Sequence, residues 1–320
     1  MPPKPEVIVA VNDAVRILYE CRGSTQGEVV LHALTIDVED YFQTEAMTGA
    51  APCADWGAMS PRVEWNTWRL LDLLDRHRVR ATLFFLGWVA ERFPQLVVAA
   101  AARGHEVACH SYWHRPVYRL THDEFREDTR RAKDVIESCS GQCVTGYRAP
   151  SFSILSGMDW AREILAEEGF LYSSSSHPIK HDLYSDPDAS RLPNRSRSGL
   201  WELPITTWRF LGRNLPVGGG AYLRILPLPY VLGGLQRVAA SGETMMIYLH
   251  PWEIDPGQPR MSVGLKSRLR QYVGLEGMEG RLETLVERFP FGTVSKAYGT
   301  HLGASQASAG YIQVPAGICV

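Results

Sequence analysis

Four apolar runs in this chain stop at side chains able to do chemistry: Leu34–Asp40 (LTIDVED), Val107–His114 (VACHSYWH), Val144–Pro150 (VTGYRAP) and Met246–Glu253 (MIYLHPWE). His110 and His114 stand four residues apart, a spacing that on a helical turn puts both imidazoles on one side and lets them share a metal. Asp37, Glu39 and Asp40 form an acidic cluster at an equivalent strand end. Two histidines and a carboxylate, with positions left open for water and substrate, make a catalytic rather than a structural zinc site. Acids beside a metal divide the labour, one ligating and another taking protons. Arg148 follows an apolar run and precedes Pro150, where it would be a fixed partner keeping an acid ionised. His250 closes another run, and an imidazole's pKa permits the role of acid. The bland alternatives are a solvated acidic turn, a surface salt bridge worth little, and histidines satisfied in the core. The four strand ends together make a metal hydrolase the better reading.

Such residues must be brought to one place, and the surrounding pattern supplies the means. From Ala33 onward strand-like and helix-like segments alternate. Trp65 to Arg76 has leucines at helical spacing, and Arg80 to Leu86 follows as a buried strand. Pro94 starts a short helix through Ala102, and Gly104 stops it before the next strand at Glu106. Thr121 and Glu124 form a capping box for a helix ending near Gly141. Further helices are expected from about Met158 to Glu168, Pro229 to Ala240 and Glu279 to Phe289, with strands at Phe170–Tyr172, Trp201–Thr207 and Thr244–Leu249. Repeated strand–helix units imply a mostly parallel sheet, and this length suits a closed or nearly closed barrel. The organisation expected is an N-terminal extension over 1–32, a barrel over 33–253, a C-terminal extension over 254–297 packing on that barrel, and a flexible tail over 298–320. Residues 173–200, rich in Ser, Pro, Asp and Asn, read as a long loop over the site.

Composition narrows the partners. The chain has 320 residues and is 45% hydrophobic and 21% charged, enough for a sizeable core. Its formal charge of −2 offers no basic field to steer nucleic acid, so a neutral or mixed-polarity substrate fits better. No run approaches the roughly 18 apolar residues of a membrane span. Met1 to Glu6 lacks a basic region followed by an apolar core, and a cytoplasmic chain is expected. The six scattered cysteines then read as free thiols.

The order Thr35-Ile-Asp37, His110-Ser-x-x-His114, Arg148-x-Pro150 and Leu249-His250 resembles the polysaccharide deacetylases with the NodB homology domain, carbohydrate esterase family 4. The resemblance spans about residues 33–253. The longer strings Asp37–Phe42, Gly104–Glu106, Gly146–Ser153 and His250–Asp255 look like the subgroup associated with exosortase/PEP-CTERM exopolysaccharide loci, whose C-terminal extension residues 254–297 resemble. Membership implies a distorted (β/α)7 barrel in a single domain with that extension, and metal-dependent removal of acetyl from N-acetylhexosamine units of a glycan. By that resemblance Asp37 is the catalytic base, His110 and His114 are metal histidines, Arg148 orients the base and His250 is the catalytic acid. The backbone N–H of Ser151 would help hold the oxyanion.

Three positions depart from the family pattern. The adjacent Asp-Asp is here Asp37-Val38-Glu39-Asp40, and Glu39 is favoured over Asp40 as the metal carboxylate. The usual Arg-x-Pro-Tyr ends in Ser151-Phe152, removing one aromatic from the rim. Tyr248 stands where a leucine often lines the acetyl pocket. Trp252 offers an aromatic face to a sugar ring. Glu202 falls loosely where the family keeps an acid behind its catalytic histidine. The implied cofactor is a divalent metal, Zn²⁺ first, and the implied partner an N-acetylated glycan. Two other functions fit the same residues: a same-barrel hydrolase of a non-sugar amide, imide or ureide, and a glycan-binding module without catalysis.

Overall fold

A computed structural model describes residues 30–182 and 186–306. Most of the expected N-terminal extension and the end of the expected tail lie outside the described residues. Along the chain β1 (His32–Val38) is followed by α1 (Val63–Arg76), β2 (Thr82–Phe85), α2 (Gly87–Arg92), α3 (Pro94–Ala102), β3 (Glu106–Cys109), α4 (His122–Ser140), β4 (Gly146–Tyr147), α5 (Asp159–Glu167) and β5 (Tyr172–Ser173). Next come β6 (Asn194–Arg195), β7 (Trp201–Glu202), β8 (Thr207–Phe210), β9 (Arg213–Pro216), α6 (Ala221–Ile225), α7 (Leu228–Ala240) and β10 (Met246–Leu249). The chain continues through α8 (Leu265–Tyr272), α9 (Met278–Arg288), β11 (Phe291–Gly292), α10 (Val294–Ala297) and α11 (Gly299–Gln306).

Local chemistry accounts for these elements. Every residue of β1 is buried, as in a strand covered on both faces. α1 turns Val63, Leu70, Leu71, Leu73 and Leu74 inward. α4 begins with the reciprocal Thr121–Glu124 capping box, and Gly141 at φ 66° stops it in the left-handed region that glycine enters without strain. Pro94 opens α3, where its missing N–H costs nothing.

Seven strands run parallel in the order β10-β1-β2-β3-β4-β5-β7, with β6 antiparallel at the far edge. The sheet curls into a half-barrel. Near the gap the Thr206 N–H donates to the Met246 carbonyl (3.1 Å) and the Met246 N–H donates to Thr206 Oγ1 (2.7 Å), so the segment after β7 runs beside β10. This is the α/β architecture expected from the alternating pattern. Parallel strands open their C-terminal ends on one face, which gathers the residues after Val38, Cys109, Tyr147 and Leu249.

Four expectations change. The strand expected over Trp201–Thr207 is two short strands in different sheets, because Pro204 interrupts it and Thr207 starts the β8–β9 hairpin. Residues 173–179 are not a loop lying over the site: Ser173 to Ile179 are buried and carry hydrogen bonds of the interior. The segment 254–297 does more than pack on the barrel, since β11 pairs in parallel with His32 and Ala33 of β1. Residues 299–306, expected in a loose tail, form α11, and Tyr298 and Leu302 are buried against the sheet. The four described cysteines are free thiols, as expected.

Candidate metal centre and active site

β1 delivers the acids. Just past it the Glu39 N–H donates to the Asp37 carbonyl (3.0 Å) in a three-residue turn, and both side chains reach the same cavity. Asp40 turns away. Its carboxylate accepts from the N–H groups of Tyr41 (2.8 Å), Arg62 (2.7 Å) and Val63 (2.9 Å), pinning the start of α1. Burial pushes Asp40 up to about 6 against those bonds. Asp40 therefore supports structure and stands outside the metal cluster.

Glu39, His110 and His114 are all buried, and one donor atom from each lies within 4.8 Å of the others. The His114 Nε2 to Glu39 Oε2 separation is 2.7 Å. That approach lacks hydrogen-bond alignment, and Glu39 Oε2 is buried without a hydrogen-bond partner among the described residues. His110 Nδ1 lies 2.8 Å from the Arg148 carbonyl, which can only accept, so Nδ1 carries the proton and Nε2 presents its lone pair. Two imidazole nitrogens and a carboxylate oxygen, one with an unmet acceptor, fit a divalent cation such as Zn²⁺. Burial raises the Glu39 carboxyl, yet the nearby His114, His250 and His110 outweigh it and hold Glu39 down at about 2. Burial lowers His110 to about 4, in keeping with a neutral ligand.

The histidines meet for a reason other than helical spacing. Residues 110–116 form no helix. Ser111 and His114 instead take positive φ of 63° and 53°, and the Ser111 hydroxyl accepts from the His114 N–H (3.1 Å). Ser151 and Phe152, both at φ 51°, repeat the feature on the opposite loop. Non-glycine residues in the left-handed region store strain, and such strain concentrates at functional sites.

Arg148 has a fully buried side chain. Its guanidinium donates to Asp37 Oδ1 (2.6 Å), Thr35 Oγ1 (2.8 Å), the Ser174 carbonyl (3.2 Å) and Ser174 Oγ (2.9 Å), and stacks over Phe84 at 4.2 Å. Asp37 is thereby fixed in orientation with a countercharge beside it. His250 Nε2 faces Asp37 Oδ2 at 3.9 Å and Glu39 Oε1 at 3.6 Å. Its Nδ1 lies 3.1 Å from Glu253 Oε2, which also accepts the His250 backbone N–H (3.0 Å). Burial disfavours the imidazolium, but the Glu253 bond and the Glu39, Glu253 and Asp37 charges prevail and raise His250 to about 9.

Asp37, Glu39, His110, His114, Ser151, Tyr248, His250 and Trp252 line one cavity of about 380 Å³. That size is in the usual range for ligand pockets. Trp252 stacks on the His250 ring (5.0 Å between centroids, 19°) and donates from Nε1 to Glu39 Oε1 (3.3 Å), so it positions both. Glu202 does not back His250. It accepts the Ser175 and Ser176 N–H groups instead (2.7 and 2.9 Å), and burial raises its carboxyl. The carboxylate behind His250 is Glu253, held in turn by Arg224 Nε at 2.6 Å. Neither was assigned a role from the sequence. The i, i+3 spacing of His250 and Glu253 carried the signal, whereas Arg224 carried none.

Residues 55–169 match the family model "Polysaccharide deacetylase", and residues 174–299 match "Domain of unknown function (DUF3473)". The first match contains His110, His114 and Arg148; Asp37 and Glu39 precede it, and His250 and Glu253 fall in the second. Over 96 residues the chain is 34% identical to the peptidoglycan-N-acetylglucosamine deacetylase of Bacillus cereus, covering 30% of this chain and 35% of that protein. Over 97 residues it is 31% identical to a chitooligosaccharide deacetylase of a Bradyrhizobium species, covering 30% and 42%. The chain thus spans well under half the length of these curated relatives. Among solved structures, a putative polysaccharide deacetylase from Mycobacterium smegmatis superposes with a TM-score of 0.59 at 20% identity, covering 92% of this chain and 97% of the other. A probable polysaccharide deacetylase from Pseudomonas aeruginosa gives 0.54 at 18%, covering 80% and 83%. These likenesses establish a shared fold, a distorted (β/α) barrel, while the match to the polysaccharide deacetylase model is confined to residues 55–169.

Proposed function

We propose that this protein is a metal-dependent hydrolase that removes the acetyl group from N-acetylhexosamine units of a glycan. The observation that carries the reading is the Glu39–His110–His114 cluster sharing a cavity with a carboxylate and a carboxylate-backed histidine. Glu39, His110 and His114 would hold the ion, and Zn²⁺ suits their donors best. Bound there, a divalent metal would polarise the acetyl carbonyl and make water a nucleophile at neutral pH.

The chain's own groups do the rest. Asp37, locked by Arg148, accepts a proton from the attacking water at the oxygen not bound to the guanidinium. The backbone N–H of Ser151 serves the tetrahedral oxyanion, a contribution of about 3–4 kcal/mol where a single donor has been removed from such a hole. His250, with Nδ1 committed to Glu253, keeps Nε2 toward the cavity and gives its proton to the departing sugar amine. Tyr248 and Trp252 wall the pocket that takes the acetyl group and the ring. The longer motifs and the 254–297 extension favour a role in exopolysaccharide biosynthesis of the exosortase/PEP-CTERM type.

Acetate release from a panel of N-acetylglucosamine oligomers, with and without a chelator, tests the proposal. Release that stops with chelator and returns with Zn²⁺ is expected. No release from any acetylated glycan, with metal bound, refutes it.

A further inference from the structure

α8 leaves an apolar row in solvent. Leu265, Leu269 and Val273, the last capping the helix, recur every four residues and are 72, 51 and 39% exposed. That spacing keeps them on one side of the helix. Ile225, ending α6, adds a branched side chain that is 46% exposed. The two helices are tied together, because the buried Arg224 guanidinium donates to the Val273 carbonyl (2.5 Å) and the Arg270 carbonyl (2.6 Å). Both helices also wall the active-site cavity, through Ile225, Arg270 and Gln271. Single exposed leucines are ordinary on a protein surface, but a periodic row beside a cavity mouth marks an interaction surface.

The segment that carries the row has charges of one sign. Residues 256–275 contain Arg260, Lys266, Arg268 and Arg270 and no Asp or Glu, in a chain whose net charge is −2. Lys266 and Arg270 pair with Asp182, and Arg260 lies 4.3 Å over the Tyr272 ring. The Arg268 side chain is exposed and makes no ion pair among the described residues. Apolar residues flanked by cations on a surface helix match the chemistry of an anionic bilayer, whose phosphates meet the cations while the apolar row enters between headgroups. No helix among the described residues is long and apolar enough to cross a membrane, and the contact in question is peripheral.

We propose that α8 and Ile225 dock this protein on an anionic lipid surface, with Leu265, Leu269 and Val273 seated among the headgroups and Arg260 and Arg268 at the phosphates. The cavity then opens beside the membrane. Binding is read without turnover, so the outcome does not depend on the deacetylase reading.

The test is sedimentation of the full chain with sucrose-loaded vesicles of phosphatidylglycerol and phosphatidylcholine, against phosphatidylcholine alone. The protein should follow the anionic vesicles and be released by high salt. Leu265→Asn with Leu269→Asn should weaken partitioning by about tenfold or more, since the apolar anchor is lost. Arg268→Glu should weaken it by about fivefold or more. Both sets of side chains are exposed, and unchanged circular dichroism would show that the variants remain folded. Absence of the wild type from the anionic pellet, or equal binding by the variants, overturns the proposal. So does a concentration-dependent dimer that the double leucine variant abolishes without any vesicle binding, which would give the row to a second copy of the chain.

Discussion

Replacing Arg224 with methionine tests how far the carboxylate behind His250 depends on the buried guanidinium on its other side. The Arg224 and Glu253 side chains are both fully buried, with Nε 2.6 Å from Oε1. The same guanidinium satisfies the carbonyls of Arg270 and Val273. Removing one partner of a buried ion pair costs about 3–5 kcal/mol, because the other charge is left in a medium that cannot solvate it. Each carbonyl left dry adds on the order of 1 kcal/mol, less whatever movement of α8 recovers through water. His250, 3.1 Å from the other Glu253 oxygen, remains as a countercharge and holds the ion-pair cost to the low end of its range. Arg224→Met should therefore lose about 4 kcal/mol, a large part of the roughly 5–15 kcal/mol that holds a typical domain together. Arg224→Lys keeps the charge but cannot reach three acceptors at once, so its loss should be intermediate. Urea unfolding of Arg224→Met, Glu253→Gln and the double variant supplies the cycle. The double variant should recover at least about 2 kcal/mol of the sum of the single losses, since a neutral amide needs no countercharge. Arg224→Met should also lose turnover while keeping its metal. A loss below about 1 kcal/mol, or strict additivity, would refute the reasoning that the pair is a closed unit.

Three further outcomes follow from the site. His114→Ala and Glu39→Gln should lose bound zinc by elemental analysis, while Asp40→Asn keeps it and loses stability instead, because its carboxylate pins three N–H groups at α1. Asp37→Asn and His250→Ala should retain metal and fall about 10²–10⁴-fold in acetate release; a wild-type rate from Asp37→Asn would remove it from the mechanism. Acid should unfold the protein through histidines remote from the cavity. His105 and His32 are buried, their Nδ1 atoms accept the N–H groups of Ala81 (3.0 Å) and Met245 (3.2 Å), and burial lowers both to about 4. Their contribution is complete above about pH 6.5 and is lost as pH falls toward 4, roughly 2–3 kcal/mol each. His105→Asn, which keeps an acceptor for Ala81, should flatten the dependence of unfolding free energy on pH, and an unchanged slope would count against this.

The sequence made the strand ends legible because each is a short apolar run stopped by a polar residue, and the parallel sheet gathers those ends on one face. Asp37, Glu39, His110, His114, Ser151, Tyr248, His250 and Trp252 line one cavity, and Arg148 reaches it through Asp37. The reason for the histidine pairing was not legible. A four-residue spacing suggests a helical turn, whereas the chain uses left-handed residues at Ser111 and His114, and backbone strain leaves no trace in composition. Glu202 was a poor match because its carboxylate is taken up by the Ser175 and Ser176 N–H groups, a pairing across β5 and β7 that only the strand order defines. Arg224 lay beyond reach for the same reason: it sits on a five-residue helix after the β8–β9 hairpin, with no periodicity to mark it. The hairpin itself was hidden by the apolar run that continues across Pro204.

β1 carries Asp37 and leads into Glu39, and apart from β2 its neighbours arrive from far along the chain. β10 joins it from residue 246 and β11 from residue 291, each more than 200 positions later. A ribosome must therefore release the chain past residue 291 before the first strand can be enclosed, and loop closure over such separations is slow. Glu39, His110 and His114 all lie within the first 114 residues, at the ends of the adjacent β1-β2-β3 strands. His250, which shares their cavity, arrives only with β10, so the proton-handling set is completed after the metal-binding cluster. It also means that the 55–169 stretch, expressed by itself, would carry two histidines and an arginine with nothing for them to act with.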